Sequence, residues 1–135
     1  MIAEIEELIL SALKEHYTST GVDVEEFAGD IEDYTLRASQ AAILVMYPGG
    51  DAGMQDSQEV VRQMFTPQFT VFIVARNKRT HTGCYGIMDE VRAELIGIEY
   101  RETRLAFVKE EFVGKKNGVW YYAQVFAIRQ RVRQV

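Results

Sequence analysis

The sequence predicts an α+β domain: one mainly antiparallel sheet of four to five strands with two helices on one face. Three observations predict it. Apolar residues recur at helical spacing in two segments, Ile2 to Tyr17 and roughly Gly83 to Ile96. Two short runs, Ala41–Tyr47 and Phe69–Ala75, are apolar at nearly every position, as strands covered on both faces are. A third stretch, VKEEFVGKKNGVWYYAQVFAIRQ at 108–130, folds back at Asn117-Gly118, a strong hairpin signal.

The elements follow in order. In the first helix Ile2, Ile5, Ile9, Ala12 and Leu13 form the apolar stripe, with Leu8 beside them. Glu4, Glu6 and Glu7 sit in its first turns, where carboxylates complement the helix dipole. Val22–Phe27 alternates weakly, as a short edge strand does, and Gly29–Ser39 has no periodicity. The AAILVMY strand ends at Pro48-Gly49-Gly50, and Pro48 to about Val60 reads as a long polar loop. QFTVFIVAR is the next strand, with Pro67 marking an edge or bulge. Thr82 is placed to cap the second helix, and Gly97 to stop it. Its stripe is Cys84, Met88, Val91 and Leu95. The hairpin arms run from Arg104 to Val113 and from Val119 to about Arg131.

Length and composition support one domain, residues 1–135. The chain is 47% hydrophobic and 26% charged, near globular averages, which excludes disorder over most of its length. No run of 18 apolar residues is present, so no membrane-spanning helix is expected. The opening MIAEIEELIL is acidic where a secretion signal is basic, and a cytoplasmic location is expected. The net charge of −5 is unevenly spread. Residues 1–36 hold ten acidic residues against Lys14, a net of −9; residues 37–135 hold ten acidic and fourteen basic residues, a net of +4. Such poles suit head-to-tail self-association. The overall acidity argues against general nucleic-acid binding.

The second hairpin arm poses the main question. Val119, Tyr121, Ala123 and Val125 alternate with Trp120, Tyr122, Phe126 and Ile128, so both faces are apolar. Two helices on one face leave the other uncovered. The second cover is therefore expected from the 48–60 loop or from another copy of the chain. An exposed patch of Trp120, Tyr122, Phe126 and Ile128 exceeds what soluble monomers carry, and aromatic residues are enriched in interface cores. These four are the expected subunit contacts, so that Phe126→Asp leaves a folded monomer. Arg76, Lys78 and Arg79 are the expected contacts to a neighbour.

Catalytic patterns are not found. The sequence has no Gly-x-Ser-x-Gly, His-Glu-x-x-His, cysteine pair or calcium loop. Gly49-Gly50-Asp51-Ala52-Gly53 lacks the Lys-Ser/Thr of a phosphate loop. Glu110 and Glu111 are adjacent and point to opposite faces of a strand. Cys84, the single cysteine, fits a buried small hydrophobe on a helix. His81 near it is too isolated for a metal centre. No catalytic residue, metal or cofactor is expected.

Several motifs together carry a family resemblance. They are the opening M-I-A-E-I-E-E-L-I-L, A-I-L-V-M-Y-P-G-G, Q-F-T-V-F-I-V-A-R-N, the helix pattern G-x-Y-x-I-M-D-E-V-R-A-E-L, and the closing N-G-V-W-Y-Y-A-Q-V-F. Across nearly its whole length the chain resembles the Mu-like prophage tail protein family, found beside sheath and tube genes of contractile-tailed phages. The resemblance implies a tail-terminator-like fold and a structural, non-enzymatic virion part without cofactor. Terminators of this kind assemble as a homo-oligomeric ring, commonly a hexamer, on the end of the tail tube, stop its polymerisation and join it to the head. The implied partners are further copies of the chain, the tube protein, and sheath and head–tail joining proteins, with Arg76, Lys78 and Arg79 contacting the tube or a neighbour, and with no membrane and no sequence-specific nucleic acid. The implied place is the host cytoplasm during assembly, then the virion tail. A neck or adaptor protein of similar fold is the alternative, and a small ligand-binding module a third.

Overall fold

The structure, a computed structural model, describes residues 1–55 and 62–133. Helix α1 spans Ile2–His16 and buries Ile5, Ile9, Leu10 and Leu13. Its N-terminal ammonium pairs with Glu4 at 2.8 Å. Strand β1, Val22–Glu26, then runs parallel to β2, Ala41–Gln55. The sheet is thus mixed rather than linked by hairpins throughout. A parallel pair needs a crossover of about a dozen residues or more, and residues 27–40 provide it. This strap contains a single 3-10 turn, Ile31–Asp33, capped by Asp30.

Strand β3, Arg62–Ala75, pairs antiparallel with β2 along nearly its whole length. Helix α2, Cys84–Leu95, follows. A two-stranded ribbon, β4 (Glu99–Tyr100) and β5 (Thr103–Arg104), then precedes the hairpin of β6 (Ala106–Lys116) and β7 (Val119–Ala127). The last strand, β8, is Gln130–Arg133. The main sheet has the order β1-β2-β3-β7-β6, and β8 continues beside β3 where β7 stops. Asn117 (φ 53°) and Gly118 (φ 76°) both take the left-handed conformation that a two-residue hairpin turn requires.

Both faces of the central strands are covered by the chain itself. On one face the two helices cover Ile43, Val45, Phe69, Val71, Ile73, Phe126 and Ile128. On the other the strap lays Leu36 and Ala38 over Ala42, Leu44, Val74, Val119 and Tyr121. Phe27 stacks edge-on against Phe72, with ring centroids 6.1 Å apart. The expected second cover is therefore corrected: over the central strands of this face it is the strap. The strap was illegible as a cover because its apolar residues, Phe27, Ile31, Tyr34, Leu36 and Ala38, follow no regular period.

The expected loop at 48–60 is corrected as well. Pro48 to Gln55 belongs to β2, and Gly49, Gly50, Asp51 and Ala52 pair with Gln68, Pro67, Thr66 and Phe65. Cross-strand hydrogen bonds override the poor strand propensity of these residues, with register shifts after Met46 and Ala52. The rest of that expected loop, residues 56–60, lies outside the described residues. Pro67 does mark a break. It sits between the β7-paired and β8-paired parts of β3 and accepts from Ile128 N at 3.1 Å.

Candidate interaction surface

Pairing puts residues of all five strands in level rows. One row is Val22, Ala41, Ala75, Trp120 and Lys115; the next on the same face is Val24, Ile43, Ile73, Tyr122 and Phe112. Both lie on the helix-covered face. The helices reach the centre of these rows but not the β6 end. There Phe112 is 54% exposed and Tyr85, on the first turn of α2, is 41% exposed. Phe112 lies 5.3 Å from the Tyr122 ring and 6.2 Å from Trp120, and Tyr85 is 6.1 Å from Tyr122.

Two ammonium groups complete the cluster. Lys78 Nζ is 4.6 Å from the Trp120 ring centroid and Lys115 Nζ 4.5 Å, within range of cation–π attraction. The turn at 77–80 positions Lys78. Its backbone carbonyls cap α2: Cys84 N donates to Asn77 O at 2.8 Å and Tyr85 N to Lys78 O at 3.0 Å. The expected cap by Thr82 is replaced by this arrangement, with Gly83 at the N-cap. A Cβ on Gly83 would stand 2.1 Å from Asn77 O, so only glycine fits there. Burial pushes the Tyr122 hydroxyl up to about 12, with a hydrogen bond to Tyr85 adding to it.

The sequence-expected residues fall into two groups. Trp120 and Tyr122 are half-buried members of this cluster, and Lys78 joins them. Phe126 and Ile128 are 0% and 1% exposed beneath the helices, so as subunit contacts they are corrected to core. Alternation alone could not tell a face under helices from a face under a neighbour. The basic trio also separates. Arg76 Nη2 donates to Leu36 O of the strap at 3.4 Å, Lys78 turns to Trp120, and Arg79 is exposed. Sequence reasoning missed Tyr85, Phe112 and Lys115; the strand partnership of Phe112 with Tyr122 across the hairpin was the available signal.

Beside the cluster lies a cleft of about 480 Å³ lined by Tyr85, Arg92, Glu110, Phe112 and Tyr122. Its floor is tied by Gln124, fully buried, whose Nε2 donates to Met88 O at 3.1 Å and to Glu110 Oε1 at 2.9 Å. Arg92 bridges Glu110 to Asp89. This network fixes β6 and β7 to α2.

The opposite end of the sheet has the other sign. Asp23, Glu25, Asp30 and Asp33 line a cleft of about 680 Å³ between β1 and the strap, with Phe27, Tyr34 and Arg37. On the helix side of β1, Glu6 of α1 lies within hydrogen-bonding reach of Glu26; burial and then Glu26 push its carboxyl above the ordinary range. Elsewhere, His16 bridges Glu90 (3.1 Å) and Glu94 (3.0 Å), joining the two helices. Among the described residues no group of His, Cys, Asp and Glu is arranged to hold a metal ion. No described helix is long and apolar enough to cross a membrane.

The fold recurs in a chain from the solved structure described as the virion of a native gene transfer agent (GTA) particle. The match covers 92% of each chain with a TM-score of 0.57 at 12% identity, which establishes a shared fold. No curated protein matches the chain. The model of the Gp37 protein family matches residues 9–132, so nearly the whole domain, from the middle of α1 to β8, belongs to the Gp37 protein family.

Proposed function

We propose that this chain is a structural component of a phage or phage-like virion and acts there as a tail terminator. Copies close into a ring, six in number by the resemblance to Mu-like prophage tail proteins, and seat on the last ring of the tail tube. One ring face complements the tube end; the other fails to template further tube subunits and receives the head-joining proteins. The chemistry is interfacial, with no bond made or broken. Assembly takes place in the host cytoplasm and the ring ends in the virion tail.

The observation that carries this reading is an aromatic and cationic cluster left uncovered at the β6 end of the sheet, in a chain whose fold recurs in an assembled virion. Family membership supports it. This cluster, with Tyr85 and Phe112 exposed and Trp120 and Lys78 half-buried, supplies the aromatic and cationic character that interface cores favour.

A neck or adaptor protein of the same fold shares these features and differs in what it does to the tube. Adding the purified chain to polymerising tube protein separates the two. A terminator shortens the tubes in proportion to its concentration. Unchanged tube length with the chain bound at the ends identifies an adaptor, and no binding overturns both.

A further inference from the structure

We propose that the end of the sheet where the 76–81 turn meets the β6–β7 turn binds an acidic, partly apolar peptide segment of a partner protein. The inference rests on the reading of the aromatic and cationic cluster as an interface, and names the chemistry of what meets it.

Two segments far apart in sequence supply the charge. Residues 76–81 and 113–118 hold Arg76, Lys78, Arg79, Lys115 and Lys116 and no acidic residue. The strand registers bring them to one end, because Ala75, Trp120 and Lys115 stand level. Arg76 turns towards the strap, where it donates to Leu36 O. Among the described residues none of the five cations forms an ion pair. Glu32 of the strap lines a cleft of about 220 Å³ with Lys115 and Lys116 and pairs with neither.

Trp120 fixes two of these cations. Lys78 Nζ and Lys115 Nζ, one from each segment, stand 4.6 and 4.5 Å from its ring centroid. Lys78 Nζ is also 5.9 Å from the centroid of Tyr85. A lysine head held on a ring has already lost part of its rotamer freedom, so less is lost when an anion binds. Two ammonium groups on one ring also repel each other, and a carboxylate set between them attracts both. The match is one of donors to acceptors as well, since an ammonium only donates and a carboxylate only accepts.

Phe112 and Tyr85 set the apolar part of the ligand. Both rings are exposed, Phe112 lies against Trp120, and Val113 beside it is exposed too. Covering them removes apolar surface from water.

Carboxylates further along the surface favour a peptide over a nucleic acid. Asp89, Glu110 and Glu111 line the cleft next to Tyr85 and Phe112, and Arg92 pairs with two of them, Asp89 and Glu110. A nucleic-acid strand carries a charge on every nucleotide and would run past these groups. A peptide places its carboxylates at the two turns and its apolar side chains on the rings. The net charge of −5 also weighs against a nucleic-acid surface.

Trp120 is the only tryptophan in the chain, so its emission reports on the site directly. The probe is a short synthetic peptide of alternating glutamate and leucine, titrated into the purified full chain at low salt. A saturable change in emission is expected, with affinity falling as salt is raised. The same peptide with glutamine in place of glutamate is expected to cause no change. Lys78→Ala and Lys115→Ala are each expected to weaken binding roughly tenfold, with circular dichroism confirming that the variants fold. The comparison of the two peptides leaves the chain unaltered, so it decides even where a variant fails to fold. No emission change with the glutamate peptide, equal binding of the glutamine peptide, or folded lysine variants that bind as tightly as the unmodified chain overturns the proposal. So does an oligothymidylate that binds more tightly than the glutamate peptide, which identifies a nucleic-acid surface instead. Peptide binding by a chain that leaves tube length unchanged sinks the terminator reading alone; shortened tubes without peptide binding sink this inference alone.

Discussion

The Tyr121 hydroxyl donates to the Tyr34 carbonyl oxygen at 2.9 Å, across a separation of 87 positions in the chain. This bond ties the irregular strap to β7, two strands beyond the β2 that the strap leads into. It also explains why the hairpin is apolar on both faces within one chain. Tyr121→Phe removes the bond and keeps the ring. A loss of about 1 kcal/mol is expected, read as a lower urea midpoint at unchanged slope. Proteolysis within residues 27–40 is expected to accelerate in the same variant.

Phe126 and Phe112 should respond in opposite ways. Phe126 is wholly buried, so Phe126→Ala is expected to cost about 3–5 kcal/mol, and Phe126→Asp to prevent folding rather than release a folded monomer. Phe112 is 54% exposed, and Phe112→Ser is expected to change stability by no more than about 0.5 kcal/mol. Urea titration of the two alanine and serine variants distinguishes core from surface. Equal losses at both positions would contradict the assignment.

Cys84 opens α2 and is fully buried. Burial pushes its thiol up to about 12, and a thiol without thiolate character reacts slowly. Alkylation by iodoacetamide at neutral pH is expected to be negligible in the native protein and complete in denaturant. Mass spectrometry before and after denaturation checks this.

Glu6 gives a pH-dependent prediction. Its carboxyl is raised above its ordinary 4.5, first by burial and then by Glu26. A raised acid holds its proton longer in the folded state, so folding is favoured below pH 4.5 and loses part of that gain as pH rises through the folded value. Above it a constant penalty remains. Glu6→Gln is therefore expected to raise Tm at pH 7 and to have no effect on it at pH 3. Thermal melts of the monomeric protein at the two pH values provide the comparison.

Much of the fold was legible because local patterns and tertiary packing agree. The Ile5–Leu13 stripe, the α2 stripe ending before Gly97, and the Asn117-Gly118 turn all stand where spacing places them. The parallel placement of β1 was not legible, since a five-residue strand carries no sign of its partner. The strap escaped for the related reason that burial by an aperiodic segment leaves no period to detect. At the surface, charge asymmetry pointed to two poles, and the strand order places β1 and β6 at opposite ends. Phe126 and Trp120 alternate identically in sequence; only the reach of the helices separates core from edge.

The central claim is that this chain closes the end of a tube as a ring. Electron microscopy of tubes grown with the purified chain tests it most directly. The account predicts a ring of extra density at one tip of each shortened tube and none along the wall. Full-length tubes with bare tips, or the chain decorating the sides, would contradict it.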